Sequence, residues 1–239
     1  MWCGCRGALE TSQKVRVMCR EEHLTNMDKN AFPQGRLTTF ALTSAMAFVL
    51  GSLLVTPFFR VRGSAVPKTH DMDQHLAVLE DFDHGLRAGS AYPRWQAGFN
   101  WGYGLPWLNF YQPGFYYLAE PAYLALKDST EAVLLVSVLS MAASGLAFSW
   151  FARFFYAPIP ATVGAALYMI APYHIADLYI RGAFPEFTAF VFAPLVFGAA
   201  YLAGRDGRAR HYAGLALAVS LFMFMHLPTA YLVMIALSF

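Results

Sequence analysis

Five long stretches without an Asp, Glu, Lys or Arg side chain organise this chain: Leu37–Phe59, Ala132–Ala152, Phe154–Tyr173, Phe187–Gly204 and Tyr212–Phe239. A helix rises 1.5 Å per residue, so runs of this length cross about 30 Å of hydrocarbon while pairing their own backbone groups. His226 and Pro228 interrupt the last run, which therefore reads as two helices. The expected fold class is an all-α integral membrane protein, a multi-span helical bundle with spans near 37–59, 132–152, 154–173, 187–204, 212–225 and 228–239. Residues 1–36 precede it as a polar segment, and 60–131 form a long loop.

Within that loop, Met72, Leu76, Leu79, Phe82 and Leu86 recur at helical spacing, while Asp73, Glu80, Asp81, His84 and Arg87 fall off the stripe. Gly89 supplies a stop. This pattern predicts an amphipathic helix lying flat on the membrane surface. The following aromatic block, from Tyr92 through Trp95, Trp101, Tyr103, Trp107, Tyr111, Tyr116 and Tyr117, is interrupted by Pro93, Gly102, Gly104, Pro106 and Pro113. Most of these rings read as ordinary interfacial aromatics, and the prolines and glycines predict a folded re-entrant structure buried against protein.

The stretch Gly104–Ala119 decides the topology. If it crossed the membrane, the basic loop Arg205–Arg210 would lie opposite the N-terminal segment with Arg6, Lys14, Arg16, Arg20, Lys29 and Arg36. The excess of Lys and Arg on cytoplasmic loops disfavours this. With Gly104–Ala119 on the outer face, the N-terminus is cytoplasmic, and Arg62–Glu131, Tyr173–Glu186 and His226–Thr229 emerge together outside.

Composition agrees with a membrane class: 57% of residues are hydrophobic and 13% charged, against about 45–50% and 25% in soluble domains. A net charge of +2 points to no nucleic-acid partner. Cys3, Cys5 and Cys19 all sit in the N-terminal segment and read as reduced cytoplasmic thiols. No signal-peptide layout opens the chain, so the first apolar run reads as a retained span. The chain stays apolar to Phe239, which suggests a fragment of a longer protein. Nucleotide-cradling GxxxxGK[ST], HExxH and GxSxG motifs do not occur.

Chemistry concentrates in the outer segments. Asp71 and His75 are four apart and share a helix edge, with Asp73 turned away; acids at a helix start also complement its dipole without further function. Asp177, Arg181 and Glu186 form a second polar island between spans, expensive unless paired or used. Arg181 suits bidentate phosphate binding, or a structural pair with Asp177 or Glu186. His226 marks a third outer helix end.

Taken in order, HDxxxH (His70 to His75), GxxYPRW (Gly89 to Trp95), GYGxP (Gly102 to Pro106), FYQP (Phe110 to Pro113), PYHIADLYIRGAFPE and HLPTA resemble the large bacterial membrane proteins related to the GT-C glycosyltransferases, of the 6-pyruvoyl-tetrahydropterin synthase-related or YfhO type. The resemblance spans most of Leu37–Phe239. It implies a GT-C fold in the inner (plasma) membrane, an active site on the outer face and a polyprenyl-phosphate-linked sugar as donor. The first-loop acid falls on Asp71, with Asp73 competing, and the second-loop acid on Asp177 or Glu186. The chain departs from protein mannosyltransferases and aminoarabinose transferases, where a basic residue precedes Pro-Pro; here Gln112-Pro113-Gly114 stands.

The function expected is transfer of a sugar to an envelope acceptor, with Asp71 or Asp73 catalytic. His75, Asp177, Arg181, Glu186 and His226 would bind substrate, and Asp73, Asp177 and Glu186 would be candidate ligands for a divalent Mg or Mn ion. The alternatives are a transporter of lipid or lipid-linked sugar, and a noncatalytic envelope-assembly protein. A transporter would place its polar groups near mid-membrane on broken helices.

Overall fold

The computed structural model describes residues 35–60 and 68–238. The N-terminal segment with its cysteines and most of its basic residues, and the start of the loop at Arg62, lie outside the described residues. The chain divides into a unit Met1–Leu42, of which only the beginning of the first helix is described, and a unit Thr43–Phe239, which holds everything below.

Every regular element among the described residues is helical: α1 (Gly35–Arg60), α2 (Met72–Arg87), α3 (Gly114–Leu126), α4 (Ser129–Ala152), α5 (Pro158–Met169), α6 (Pro172–Ala176), α7 (Phe184–Ala189), α8 (Phe192–Asp206), α9 (Ala209–Met225) and α10 (Leu227–Leu237). Four stretches are long and apolar enough to cross a membrane: Thr39–Phe59, Ser129–Ala152, Pro158–Arg181 and Phe184–Asp206. The chain is a helical membrane protein.

Of these, Ser129–Ala152 is the central one, because 72% of its apolar window is buried in protein against 22–39% for the other three. Asp128 caps its start, accepting from the Glu131 amide at 2.9 Å, and so satisfies an otherwise orphaned donor. Small residues let its neighbours approach. A Cβ on Gly145 would meet Met169 Sδ of α5 at 2.5 Å.

The span read as Phe154–Tyr173 runs further and is broken. α5 stops at Met169, Ala171 before Pro172 lies outside the helical region, and the chain resumes as α6. A residue before proline is pushed out of the helical region, which accounts for the break. α6 then passes into a widened helical turn, Asp177–Arg181, which ends at Gly182. The polar island expected as an outer loop is therefore helical and belongs to the end of a candidate span.

Helix α2 forms as its periodicity predicts, but its apolar stripe does not face lipid. Met72, Val78, Leu79 and Phe82 are fully buried, in one core with Phe115, Tyr116 and Ala119 of α3 and Ala132 and Val133 of α4. The Phe82 ring meets Tyr117 edge-on at 4.9 Å. Burial of each such side chain stabilises by about 1.5–3 kcal/mol, so the protein's own helices take the surface that a membrane would otherwise cover.

The aromatic block is not uniformly buried. Residues between Tyr92 and Tyr111 fold through short turns pinned by reciprocal backbone bonds between Gln96 and Leu105, at 2.8 and 3.0 Å. Tyr92 donates to the Leu108 carbonyl at 2.5 Å. Trp95, Trp101, Tyr103 and Phe110 remain exposed, whereas Leu108 and Tyr116 are buried. α3 then enters so closely beneath α9 that a Cβ on Gly114 would meet the Phe224 carbonyl oxygen at 2.5 Å. That contact brings the start of α3 to the junction of α9 and α10.

Candidate functional site

Arg181 lies at the end of the widened turn, its side chain 38% exposed. One nitrogen, Nη1, donates to Asp177 Oδ1 at 2.7 Å, to Glu186 Oε2 at 2.5 Å and to the Tyr173 hydroxyl at 2.9 Å. Nε and Nη2 form no hydrogen bond among the described residues, so half of the guanidinium fork remains available to an anion. Both structural pairings of Arg181 thus form, and they coexist with free donor capacity. Asp177 is fully buried, and its Oδ2 has no partner.

Glu186, on the first turn of α7, is the meeting point of three segments. Besides Arg181, its Oε1 accepts from the Tyr173 hydroxyl at 2.9 Å and from Thr229 Oγ1 at 3.1 Å. The Thr229 oxygen lies 2.8 Å from His226 Nδ1. His226 is the extended residue between α9 and α10, so the break in the last apolar run is what turns its ring toward Glu186.

The first-loop residues join through the backbone. The Asp71 amide donates to the Arg181 carbonyl at 2.9 Å, and the His70 amide to that of Ile180 at 3.3 Å. Asp71 occupies the N-cap of α2 without making a side-chain cap bond, and its half-buried carboxylate has no hydrogen-bond partner among the described residues. Asp73 is exposed on the first turn of α2.

His75, one turn on, is 2% exposed and packed among Tyr111, Phe115, Tyr116 and Phe184, with Nδ1 2.8 Å from the Tyr116 hydroxyl. Burial, helped by nearby His226, pushes its pKa down to about 3, so the ring is neutral. Its Nε2 is buried without a partner. Tyr111 stands between these groups: its ring centroid is 5.9 Å from that of His75 and 6.5 Å from that of His226. Burial, followed by the charges of Asp71 and Glu186, pushes the Tyr111 phenol up to about 12, which keeps it a hydrogen-bond donor.

The structure thus brings together Asp71, His75, Asp177, Arg181, Glu186 and His226 and leaves Asp73 outside the cluster. Sequence reasoning missed Tyr111, Tyr173 and Thr229. The first two have the composition of interfacial aromatics. Thr229 carried one legible signal, its place three residues after His226 on the first turn of a helix.

The three candidate metal ligands do not converge. Asp177 and Glu186 hold the guanidinium of Arg181 between them, Asp73 is exposed elsewhere, and no group of three suitable side chains is assembled among the described residues. The cation that Asp177 and Glu186 hold is the Arg181 guanidinium.

Comparison with protein-family models, curated proteins and solved structures gives no match to this chain.

Proposed function

We propose that this chain is a membrane glycosyltransferase that moves a sugar from a polyprenyl-phosphate donor to an envelope acceptor at the outer face of the inner membrane, with the N-terminus cytoplasmic. The observation that carries this reading is the convergence of Asp71, Arg181, Glu186 and His226 from three separate polar segments, with Asp71 unpaired and half of the Arg181 fork free.

Asp71 takes the proton from the acceptor hydroxyl as its oxygen bonds to the anomeric carbon. The bond from that carbon to the phosphate oxygen breaks through an oxocarbenium-like state, and the electron pair leaves with the polyprenyl phosphate. Arg181 faces the phosphate with its free nitrogens. Its pairs with Asp177 and Glu186 hold it in place beforehand, which is how fixed charge lowers a barrier.

Asp71→Asn keeps size and hydrogen bonding but removes the base. Loss of sugar transfer with donor binding retained supports the reading, as read by mass spectrometry of envelope glycans and of accumulated polyprenyl-phosphate sugars. Unchanged glycans with blocked lipid movement would replace it by a transporter. One observation favours that second reading: Asp177 is buried in a candidate span that is broken between α5 and α6, as transporter sites on discontinuous helices are.

A further inference from the structure

Helices α8 and α9 are joined by a short turn at Gly207, and a groove of about 290 Å³ runs between them. Its wall is apolar along Leu195 and Ala199 of α8 and along Gly214, Ala218 and Leu221 of α9, and Trp150 of α4 completes it. Arg210 and His211, on the first turn of α9, are the titratable side chains that line it. The stretch of α9 from Arg210 to Leu221 is about 16 Å long, close to the depth of one leaflet when the hydrocarbon is about 30 Å thick.

The polar end of this groove carries uncompensated positive charge. Arg205 is neutralised by Asp206, through contacts of 2.6 and 3.1 Å. Arg210 instead donates from Nε to His211 Nε2 at 3.2 Å. A ring nitrogen that accepts carries no proton, so the imidazole is neutral with its proton on Nδ1, which lies 3.5 Å from Asp206 Oδ2. His211 thus orients Arg210 without neutralising it. Nη1 and Nη2 of Arg210 form no hydrogen bond among the described residues.

Gly214 has no partner in the chain that requires it. A glycine inside a helix costs about 1 kcal/mol against alanine, and other helix glycines here admit a neighbour: Gly145 admits Met169 and Gly198 admits Trp150. A Cβ on Gly214 would meet nothing within 4 Å. What its missing side chain leaves open is the groove.

We propose that this groove binds an anionic glycerophospholipid of the leaflet next to residues 205–211, with one acyl chain along Gly214 and Ala218 and the phosphate on Arg210. In the topology proposed above this is the cytoplasmic leaflet. The acyl chain accounts for the apolar wall and its length, and the phosphate for a guanidinium left without a carboxylate. A zwitterionic headgroup carries its own cation beside the phosphate and gains less from Arg210. A helix of a second copy, about 10 Å across, is too wide for the groove. Arg210 is about 24 Å along α9 from His226, so this lipid is not the donor of the proposed transfer, and the site does not depend on that reaction.

The test is native mass spectrometry of the purified protein in a neutral detergent, with dioleoyl phosphatidylglycerol and dioleoyl phosphatidylcholine added in equal amounts. The two lipids share their chains and differ in headgroup charge. Phosphatidylglycerol is expected to be retained about tenfold more than phosphatidylcholine, the worth of one charge-assisted contact. Arg210→Gln should remove that preference, and Arg94→Gln, which loses the same charge outside the groove, should keep it. Gly214→Leu should abolish retention of phosphatidylglycerol without lowering the midpoint of thermal unfolding, because leucine is the better helix former and its Cβ meets no other part of the protein. An excess of ammonium glycerol phosphate, the headgroup without its chains, should not displace the lipid. Equal retention of the two lipids, a preference indifferent to Arg210→Gln or Gly214→Leu, an equal loss in Arg94→Gln, or displacement by glycerol phosphate overturns the proposal. So does a change from dimer to monomer in Gly214→Leu, which would make the groove an interface between copies.

Discussion

The backbone amide of Asp71 donates to the carbonyl oxygen of Arg181 at 2.9 Å, so the proposed base and the proposed phosphate ligand are set in register by main chain rather than by side-chain contact. A side-chain change at either position can therefore remove its chemistry and leave the register intact.

The register depends on Gly182. Its φ of +65° is unfavourable for any residue with a Cβ, and a Cβ there would lie 2.2 Å from Thr69 Oγ1 and 3.3 Å from the Met72 amide nitrogen. Gly182→Ala is expected to cost about 1–3 kcal/mol of local strain and to separate the start of α2 from the widened turn. A lowered midpoint of thermal unfolding in detergent, with activity lost more than Thr69→Ser loses it, is the expected outcome; a midpoint equal to that of the parent protein counts against this coupling.

Arg181→Lys keeps a positive charge but replaces a fork by a single ammonium. The lysine can still meet Asp177 or Glu186, yet it cannot hold both and present two further parallel donors. Donor binding is expected to fall about tenfold or more, because charge-assisted bidentate bonds are worth about 1.5–3 kcal/mol. Titration with a polyprenyl-phosphate sugar checks this, and equal affinity would place the phosphate elsewhere.

His75 makes the fold sensitive to acid. Its folded-state pKa of about 3 lies below its ordinary 6.5, so the unfolded chain takes up a proton first. Stability is fully present above 6.5 and is lost progressively as pH falls from there toward 3. His75→Gln should flatten this part of the pH–stability curve while lowering its plateau, through loss of the Tyr116 bond. An unchanged slope in the variant would assign the acid sensitivity to other groups.

Glu120 acts in the opposite direction. Burial, followed by the adjacent Asp83 carboxylate, raises its pKa from 4.5 to about 7, while Asp83 is held by Arg87 through two contacts of 2.7 Å. The folded state keeps a proton that the unfolded state releases near 4.5, so stability falls as pH rises from there through about 7. Glu120→Gln should remove that fall and raise the unfolding midpoint at pH 8 relative to pH 5. A midpoint difference between those pH values as large as in the parent protein would count against it.

Much of the fold was legible because helix formation and membrane crossing are governed by local quantities: hydropathy summed over about twenty residues, and a 3.6-residue period. The four long apolar stretches, the start of α2 at Met72 and the break at His226 all follow from such patterns. What covers the α2 stripe does not, since Leu79 and Phe82 would serve equally against lipid or against α3 and α4, and only packing chooses. The site divides in the same way. Asp71, Arg181, Glu186 and His226 stand out in the sequence as polar residues at the ends of apolar runs, which is unfavourable unless they are paired or used. That Arg181 binds two acids through one nitrogen, that Thr229 bridges His226 and Glu186, and that Tyr111 stands between two histidines depend on contacts among segments far apart along the chain. Those distances are set by how closely small residues such as Gly114 and Gly182 let helices and turns approach, and no periodicity records it.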